Sequence, residues 1–301
     1  MSAGDTNIAA AEALPPPPEA KAPPIPRPRD VRRWLVLAAV VAVAVVSLFP
    51  IASTLFLSLR QEPSGFEALA ADPRFWEALR RTAIFASIAL PAELVLGLTL
   101  AGIFLGRMPG KTIFVYLLAL PALVAPIIGG VTWRMLFDND YGPVNHVLGG
   151  VLGGAVTTLW TTDPDYAYAT ILVADVWQWT PFVFVLMLAA LTNVDRGQLE
   201  TAAINDAGPW RTLRRVVLPA IWPAIAIAIL IRGLDFLRLF DAVWALTRGG
   251  PEGETETISV LAYERLVAGA DAGSSAAMAF ASLVIVSVVA TLGLLRLGQP
   301  R

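Results

Sequence analysis

The chain is 301 residues long, 56% hydrophobic and 15% charged, with 22 basic and 24 acidic residues giving a formal net charge of −2. That composition is too apolar for an ordinary water-soluble chain of this length. It contains no cysteine, which excludes disulfide staples and thiolate metal sites and makes redox chemistry improbable.

Residues 1–33 carry a run of prolines at 15–18 and a further scatter of them, which fix φ and remove backbone donors. A disordered, proline-rich cytoplasmic tail is expected there; a docking ligand for a partner domain is the alternative, and no function is assigned to it. A helix needs roughly 20 apolar residues, at 1.5 Å each, to cross a hydrocarbon layer of about 30 Å. Six segments reach that length, at about 34–59, 82–106, 112–133, 166–191, 216–246 and 272–295, so 34–301 reads as a six-helix transmembrane domain. The first is uncharged and too long for a signal peptide, whose apolar region runs roughly 7 to 15 residues, and is expected to stay in the membrane. The second contains Pro91 and Glu93, the third no charge, the fourth Asp175. The fifth is too long for one perpendicular crossing, and its far end is expected to tilt or project.

Lys and Arg in short flanks resist translocation, whereas Asp and Glu contribute little. Arg27, Arg29, Arg32 and Arg33 precede the first span, Arg107 and Lys111 join the second to the third, and Arg196, Arg211, Arg214 and Arg215 join the fourth to the fifth. These flanks are expected in the cytoplasm, together with both termini. The loop 137–165 has no Lys or Arg and the loop 247–271 is more acidic than basic, so both are expected outside. In the first outer loop Arg60, Arg74, Arg80 and Arg81 nearly balance Glu62, Glu67, Asp72 and Glu77, and the rule decides little.

No phosphate-binding loop of the form GxxxxGK[ST] is present, so ATP hydrolysis by that route is excluded for this chain alone. The single histidine, His146, lies in an outer loop with neither HExxH nor a nearby carboxylate pair, and reads as solvated. Without a GxSxG elbow or an assembled Ser, His and Asp set, no catalytic residue is assigned. No metal and no cofactor is expected on the chain itself.

The polar insert 196–215 between two apolar runs needs a partner outside the membrane. Residues 200–204 favour helix, Asn205, Asp206, Ala207 and Gly208 tolerate left-handed turns, and Pro209 suits the first position of a second helix capped by Gly208. A helix–turn–helix elbow is therefore expected, with Ala and Leu knobs fit for a groove on a cytoplasmic protein; a solvated loop is the plainer alternative.

The run E-T-A-A-I-N-D-A-G-P-W-R-T-L-R-R-V-V-L-P resembles the EAA loop of permease subunits of binding-protein-dependent ABC importers. In that family the loop is a coupling helix docking into the ATPase subunit, which implies contacts from Glu200, Ala203, Asn205, Asp206, Gly208, Trp210 and Leu213. The chain departs from the pattern at Asp206, where the family carries Gly, and at Asn205, where it carries Asp. Three further stretches resemble the carbohydrate branch of the family, of the maltose, glycerol-phosphate and trehalose type. They are DPRFWEALRRT at 72–82, WRMLFDNDYGPVNHVL at 133–148 with Trp133, Gly142 and Asn145 in place, and DFLRLFDAVWALTRGGP at 235–251. The resemblance covers the chain from about Asp72 onward. It implies an all-α permease in a bacterial or archaeal plasma membrane, paired with a second six-helix permease subunit as a heterodimer. It also implies two ATPase subunits that bind ATP and Mg, an extracytoplasmic solute-binding protein and a sugar or polyol moved by alternating access; no nucleic acid is involved.

Arg232, Asp235, Arg238 and Asp241 alternate in sign at steps of three, so each is placed to contact the next along a helix. Three residues turn a helix by about 300°, so the row drifts about 60° per step and cannot all face one pore. One reading joins Asp235, Arg238 and Asp241 with Trp177, Trp179 and Trp244 at a sugar site; the other is an ion-pair ladder that stabilises the span or a subunit contact. Glu93 and Asp175 motivate a rival, a proton-coupled secondary carrier, and a non-transporting scaffold or sensor is a third class.

Overall fold

The computed structural model describes residues 29–60, 65–106, 108–154, 156–267 and 272–297, and among them there is no strand. The expected tail at 1–33 lies mostly outside the described residues; its last residues, from Arg29, already belong to the first helix, α1 (Arg29–Leu59). The chain divides into two compact units, 1–49 and 50–301. The described part of the first is a stretch of α1 whose Val, Leu and Phe side chains are exposed, a surface that only lipid or another chain can cover without cost.

The second unit contains the end of α1 followed by α2 (Gly65–Ala70), α3 (Pro73–Ile103), α4 (Lys111–Leu123), α5 (Pro126–Leu136), α6 (Pro143–Leu152) and α7 (Pro164–Thr192). After these come α8 (Arg196–Ile204), α9 (Pro209–Thr212), a π-turn over Leu213–Val217, α10 (Leu218–Phe236), α11 (Asp241–Leu246), α12 (Ile258–Val267) and α13 (Ala272–Leu297). Five helices, α1, α3, α7, α13 and the stretch Pro209–Phe236, are long and apolar enough to cross a membrane, and α4 with α5 makes a sixth if that bent pair is one span.

Helix starts follow local chemistry. Asp72, Asp163 and Asp195 each accept a hydrogen bond from the backbone N–H two residues on, at 2.9 Å, and Pro73 and Pro164 occupy a first position where no N–H is missed. α3 begins nine residues before the expected span, so Arg74, Arg80 and Arg81 sit on a helix and not in a loop. His146 is exposed as expected, on α6.

Two spans expected to be single helices are broken. The third turns by 95° between α4 and α5, where Val124 and Ala125 are extended ahead of Pro126. Proline disfavours helical backbone in the residue before it, and the freed Val124 carbonyl accepts from Gln178 Nε2 of α7 at 2.7 Å. The fifth ends at Phe236 and resumes at Asp241. There Thr257 Oγ1 donates to the Leu239 carbonyl at 2.6 Å and Ser259 Oγ to the Leu237 carbonyl at 3.2 Å, so the loosened backbone is satisfied by protein.

α3 and α7 form the spine. Gly97 lies so close to Val183 and Phe184 that an added Cβ would stand 2.7 Å from Val183 Cγ1. Phe85, Ala89, Ile171, Ala174, Phe236 and Val243 form one buried cluster around this pair, and Phe184, Met187 and Ile221 anchor another.

Candidate functional site

The site grows from one buried cation. Arg232, on α10, directs Nε to Glu93 Oε2 at 2.8 Å and Nη2 to Glu93 Oε1 at 2.7 Å, a two-pronged fork onto α3. Nη2 also reaches Asp175 Oδ2 of α7 at 2.8 Å, and Nη1 reaches Asp235 Oδ2 at 3.4 Å. Trp179 and Phe236 hold their rings 4.6 Å from the guanidinium carbon. Three spans are thus tied at one point, and neither Arg232 nor Glu93 is open to solvent.

This arrangement differs from the ion-pair ladder, one of the two readings of the charged row. The step from Arg232 to Asp235 is made, but no ion pair joins Asp235 to Arg238 or Arg238 to Asp241, because the helix ends between them. The strong pairs run between helices, to the two carboxylates that had motivated a proton relay.

Beside the cluster lies a cavity of about 200 Å³ lined by Pro126, Asp175, Gln178, Trp179, Arg232 and Asp235, and on the far side by the residues 238–242 around the break. Both broken spans and α7 converge on it. Of the residues proposed for a solute path, Trp179, Asp235, Arg238 and Asp241 line this cavity. Trp177 and Trp244 do not. Trp177 is exposed and meets Trp133 edge-on at 5.7 Å, while Trp244 stacks on Phe240 at 5.7 Å and abuts Tyr263 at 4.8 Å. Gln178 and Phe240 escaped the sequence reading. Gln178 follows Asp175 by three residues, the spacing of one helix face, which was the available signal.

The elbow is a helix, a turn and a helix. α8 ends with Asp206 N–H on the Ala203 carbonyl at 3.1 Å and Ala207 N–H on the Ala202 carbonyl at 3.0 Å, around Asp206 at φ 50°. This is the paired-bond helix stop that usually carries Gly at the left-handed position, here held by Asp. α9 starts at Pro209 behind Gly208. Glu200, Ala203, Asn205, Asp206, Gly208 and Trp210 are exposed and Leu213 is half-buried. Ile204, absent from the sequence-based set, is 82% exposed and Trp210 71%. Behind them Ala203 and Leu213 join Leu98, Gly102, Leu191 and Leu199 around an apolar cleft of about 560 Å³.

Two of the three further family-like stretches, 133–148 and 235–251, are also held in place locally. Trp160 Nε1 donates to Asn145 Oδ1 at 2.7 Å and Asn145 Nδ2 to the Thr158 carbonyl at 3.1 Å, while a Cβ at Gly142 would fall 2.3 Å from the Asp138 carbonyl oxygen. In the loop after α11, Thr255 Oγ1 donates to the Gly250 carbonyl at 2.6 Å and lies 2.7 Å from Thr247 Oγ1. No cluster of metal-ligating side chains exists among the described residues.

Among the described residues, an all-helical set of membrane-length helices, with two spans broken beside one cavity, is the architecture of a multi-pass membrane protein. A family profile described as "Binding-protein-dependent transport system inner membrane component" matches residues 154–297. The lactose transport system permease protein LacF of Rhizobium radiobacter is 31% identical over 282 residues, covering 89% of this chain and 93% of that protein. The sn-glycerol-3-phosphate transport system permease protein UgpA of Yersinia enterocolitica is 32% identical over 267 residues, covering 84% and 88%. A bacterial alginate ABC transporter, solved with its alginate pentasaccharide-bound periplasmic protein, contains a chain superposing at TM-score 0.76, with 21% identity over 88% of this chain and 93% of that one. The chain belongs to the family of binding-protein-dependent transport system inner membrane components, as a sugar-type ABC importer permease subunit. Its relatives are transmembrane components and not ATPases.

Proposed function

We propose that this chain is one half of a heterodimeric pore that imports a sugar or polyol across the plasma membrane by alternating access, driven by a pair of ATPase subunits. The observation that carries the proposal is the elbow: an ordered helix–turn–helix, with Ile204 and Trp210 bare, runs without a loop through the π-turn into α10, which bears Arg232. A push on the elbow is transmitted along a rigid rod to the residues lining the cavity. Glu200, Ala203, Asn205, Asp206, Gly208, Trp210 and Leu213 present or support the docking face. Both termini and the elbow lie in the cytoplasm, following the basic flanks, and a solute-binding protein docks on the opposite side. Trp179, Asp235, Arg238 and Asp241 line the solute path, with an aromatic ring and hydrogen-bonding groups suited to hydroxylated ligands. The relatives' names include a disaccharide and a phosphate ester, so relationship alone leaves the solute open.

The engagement of Glu93 and Asp175 by Arg232 speaks against a proton relay, because both carboxylates are committed to a structural cation. The test uses the complete importer in proteoliposomes. Glu200→Ala, Ile204→Glu and Trp210→Ala each lie on exposed positions and are expected to lower ATP-driven uptake at least tenfold while the chain still inserts. Uptake that survives all three, or that follows a proton gradient without ATP, would sink the reading.

A further inference from the structure

The cavity gathers charges of both signs in unequal number. Arg232 has five N–H donors, and its Nε and Nη2 make three short bonds to Glu93 and Asp175 while Nη1 faces Asp235. Its charge is consumed within the protein and offers no seat for an anion. The other cation at the cavity, Arg238, is exposed, and neither it nor Asp241 forms an ion pair among the described residues. Two guanidinium groups, Arg232 and Arg238, thus stand among three carboxyls on the cavity wall, Asp175, Asp235 and Asp241, with the buried Glu93 as a fourth on the guanidinium of Arg232. The balance stays negative even with a proton on one of them.

From this we propose that the solute is an uncharged polyhydroxylated molecule and that sugars bearing phosphate, carboxylate or sulfonate are excluded, with Asp235 and Asp241 as the specificity-determining residues. Carboxylate oxygens accept from hydroxyl groups, and Asp241 and the second oxygen of Asp235 are unspent acceptors on the cavity wall beside Trp179 and Phe240. An anion entering the same space meets carboxylates that cannot donate to it, in a low-dielectric setting where like charges repel strongly. The inference rests on the cavity being the solute path.

The absence of cysteine gives a direct probe. In the assembled importer, Ala242→Cys and, separately, Phe240→Cys place a lone thiol of this chain on the cavity wall. Its modification is followed by mass with two methanethiosulfonates of equal size, one ending in ethylammonium and one in ethylsulfonate. Relative to a free thiol in solution, the cationic reagent is expected to be favoured at least tenfold, and adding Asp235→Asn with Asp241→Asn should collapse that preference. Equal rates, a preference for the anionic reagent, or no labelling of either thiol would overturn the proposal. A separate readout guards the path itself. If labelling is charge-selective but labelled and unlabelled Ala242→Cys importers take up solute equally, the cavity is negative but the path lies elsewhere, and the assignment of the solute is overturned.

Discussion

Arg232 and Glu93 come from helices more than a hundred positions apart and meet through two parallel hydrogen bonds of 2.8 and 2.7 Å, with Asp175 held by the same guanidinium. Buried pairs of this kind are costly to break from one side, because the remaining charge has lost both water and partner. Arg232→Met is expected to destabilise the chain by about 3–5 kcal/mol, read as a lower unfolding midpoint in detergent. Combining it with Glu93→Gln and Asp175→Asn should recover most of that loss, since no uncompensated charge remains. A single variant as stable as the parent would show that the cluster is open to water.

Gln178 closes the break in the third span by donating to the Val124 carbonyl at 2.7 Å. Gln178→Leu keeps the bulk and removes the donor, leaving a carbonyl unsatisfied at a cost of about 1–3 kcal/mol. Gln178→Glu offers no donor when ionised and should be worse. Thermal unfolding of the two variants side by side checks the order.

Asp206 stands at φ 50°, where a side chain costs roughly 1–2 kcal/mol relative to Gly. Asp206→Gly should hold or raise the stability of the elbow, while Asp206→Val, branched at Cβ, should fray α8. Limited proteolysis between α8 and α9 measures this, with cleavage slowest for Gly and fastest for Val.

Gly97 admits no side chain against Val183 and Phe184. Gly97→Leu is expected to spread α3 from α7 at a cost of about 1–3 kcal/mol or more, and trimming the neighbour with Val183→Ala should return part of it. A double-mutant cycle on unfolding midpoints tests the coupling.

Outside the spans, Glu256 is buried against Arg74, 2.5 Å from Nη2, and burial pushes its carboxyl above the ordinary 4.5. The folded form therefore holds this proton more tightly than the unfolded chain does. The contribution is greatest below the ordinary value and fades as pH rises through the raised one. Glu256→Gln should flatten that part of the stability profile above pH 4.5, measured by unfolding across a pH series.

Much of the scaffold is local and was legible from the sequence. Apolar runs of span length and an elbow with an Asp able to turn left-handed are decided by residues within a few positions of one another, as are the Asp–Pro helix starts at 72–73 and 163–164 that escaped the sequence reading. Hydrophobicity over a bilayer's thickness and capping chemistry need no distant partner. The same locality misled in two places. Pro126 marks a break only because Gln178 can take up the freed carbonyl, and the chain 237–240 has no glycine or proline at all. It unwinds because Thr257 and Ser259 satisfy the Leu239 and Leu237 carbonyls.

What the sequence determined by itself was a membrane permease scaffold with a polar elbow between two spans and a set of costly charges in its spans. What only the tertiary structure decided was which charge meets which. Steps of three along one helix placed Arg232, Asp235, Arg238 and Asp241 each to contact the next, and only the first step is made; Coulomb attraction in a dry interior rewards the closest geometry, and that lay across helices with Glu93 and Asp175. The cavity exists for the same reason: it is the space left where two broken spans meet an intact one, and no single stretch of sequence contains it.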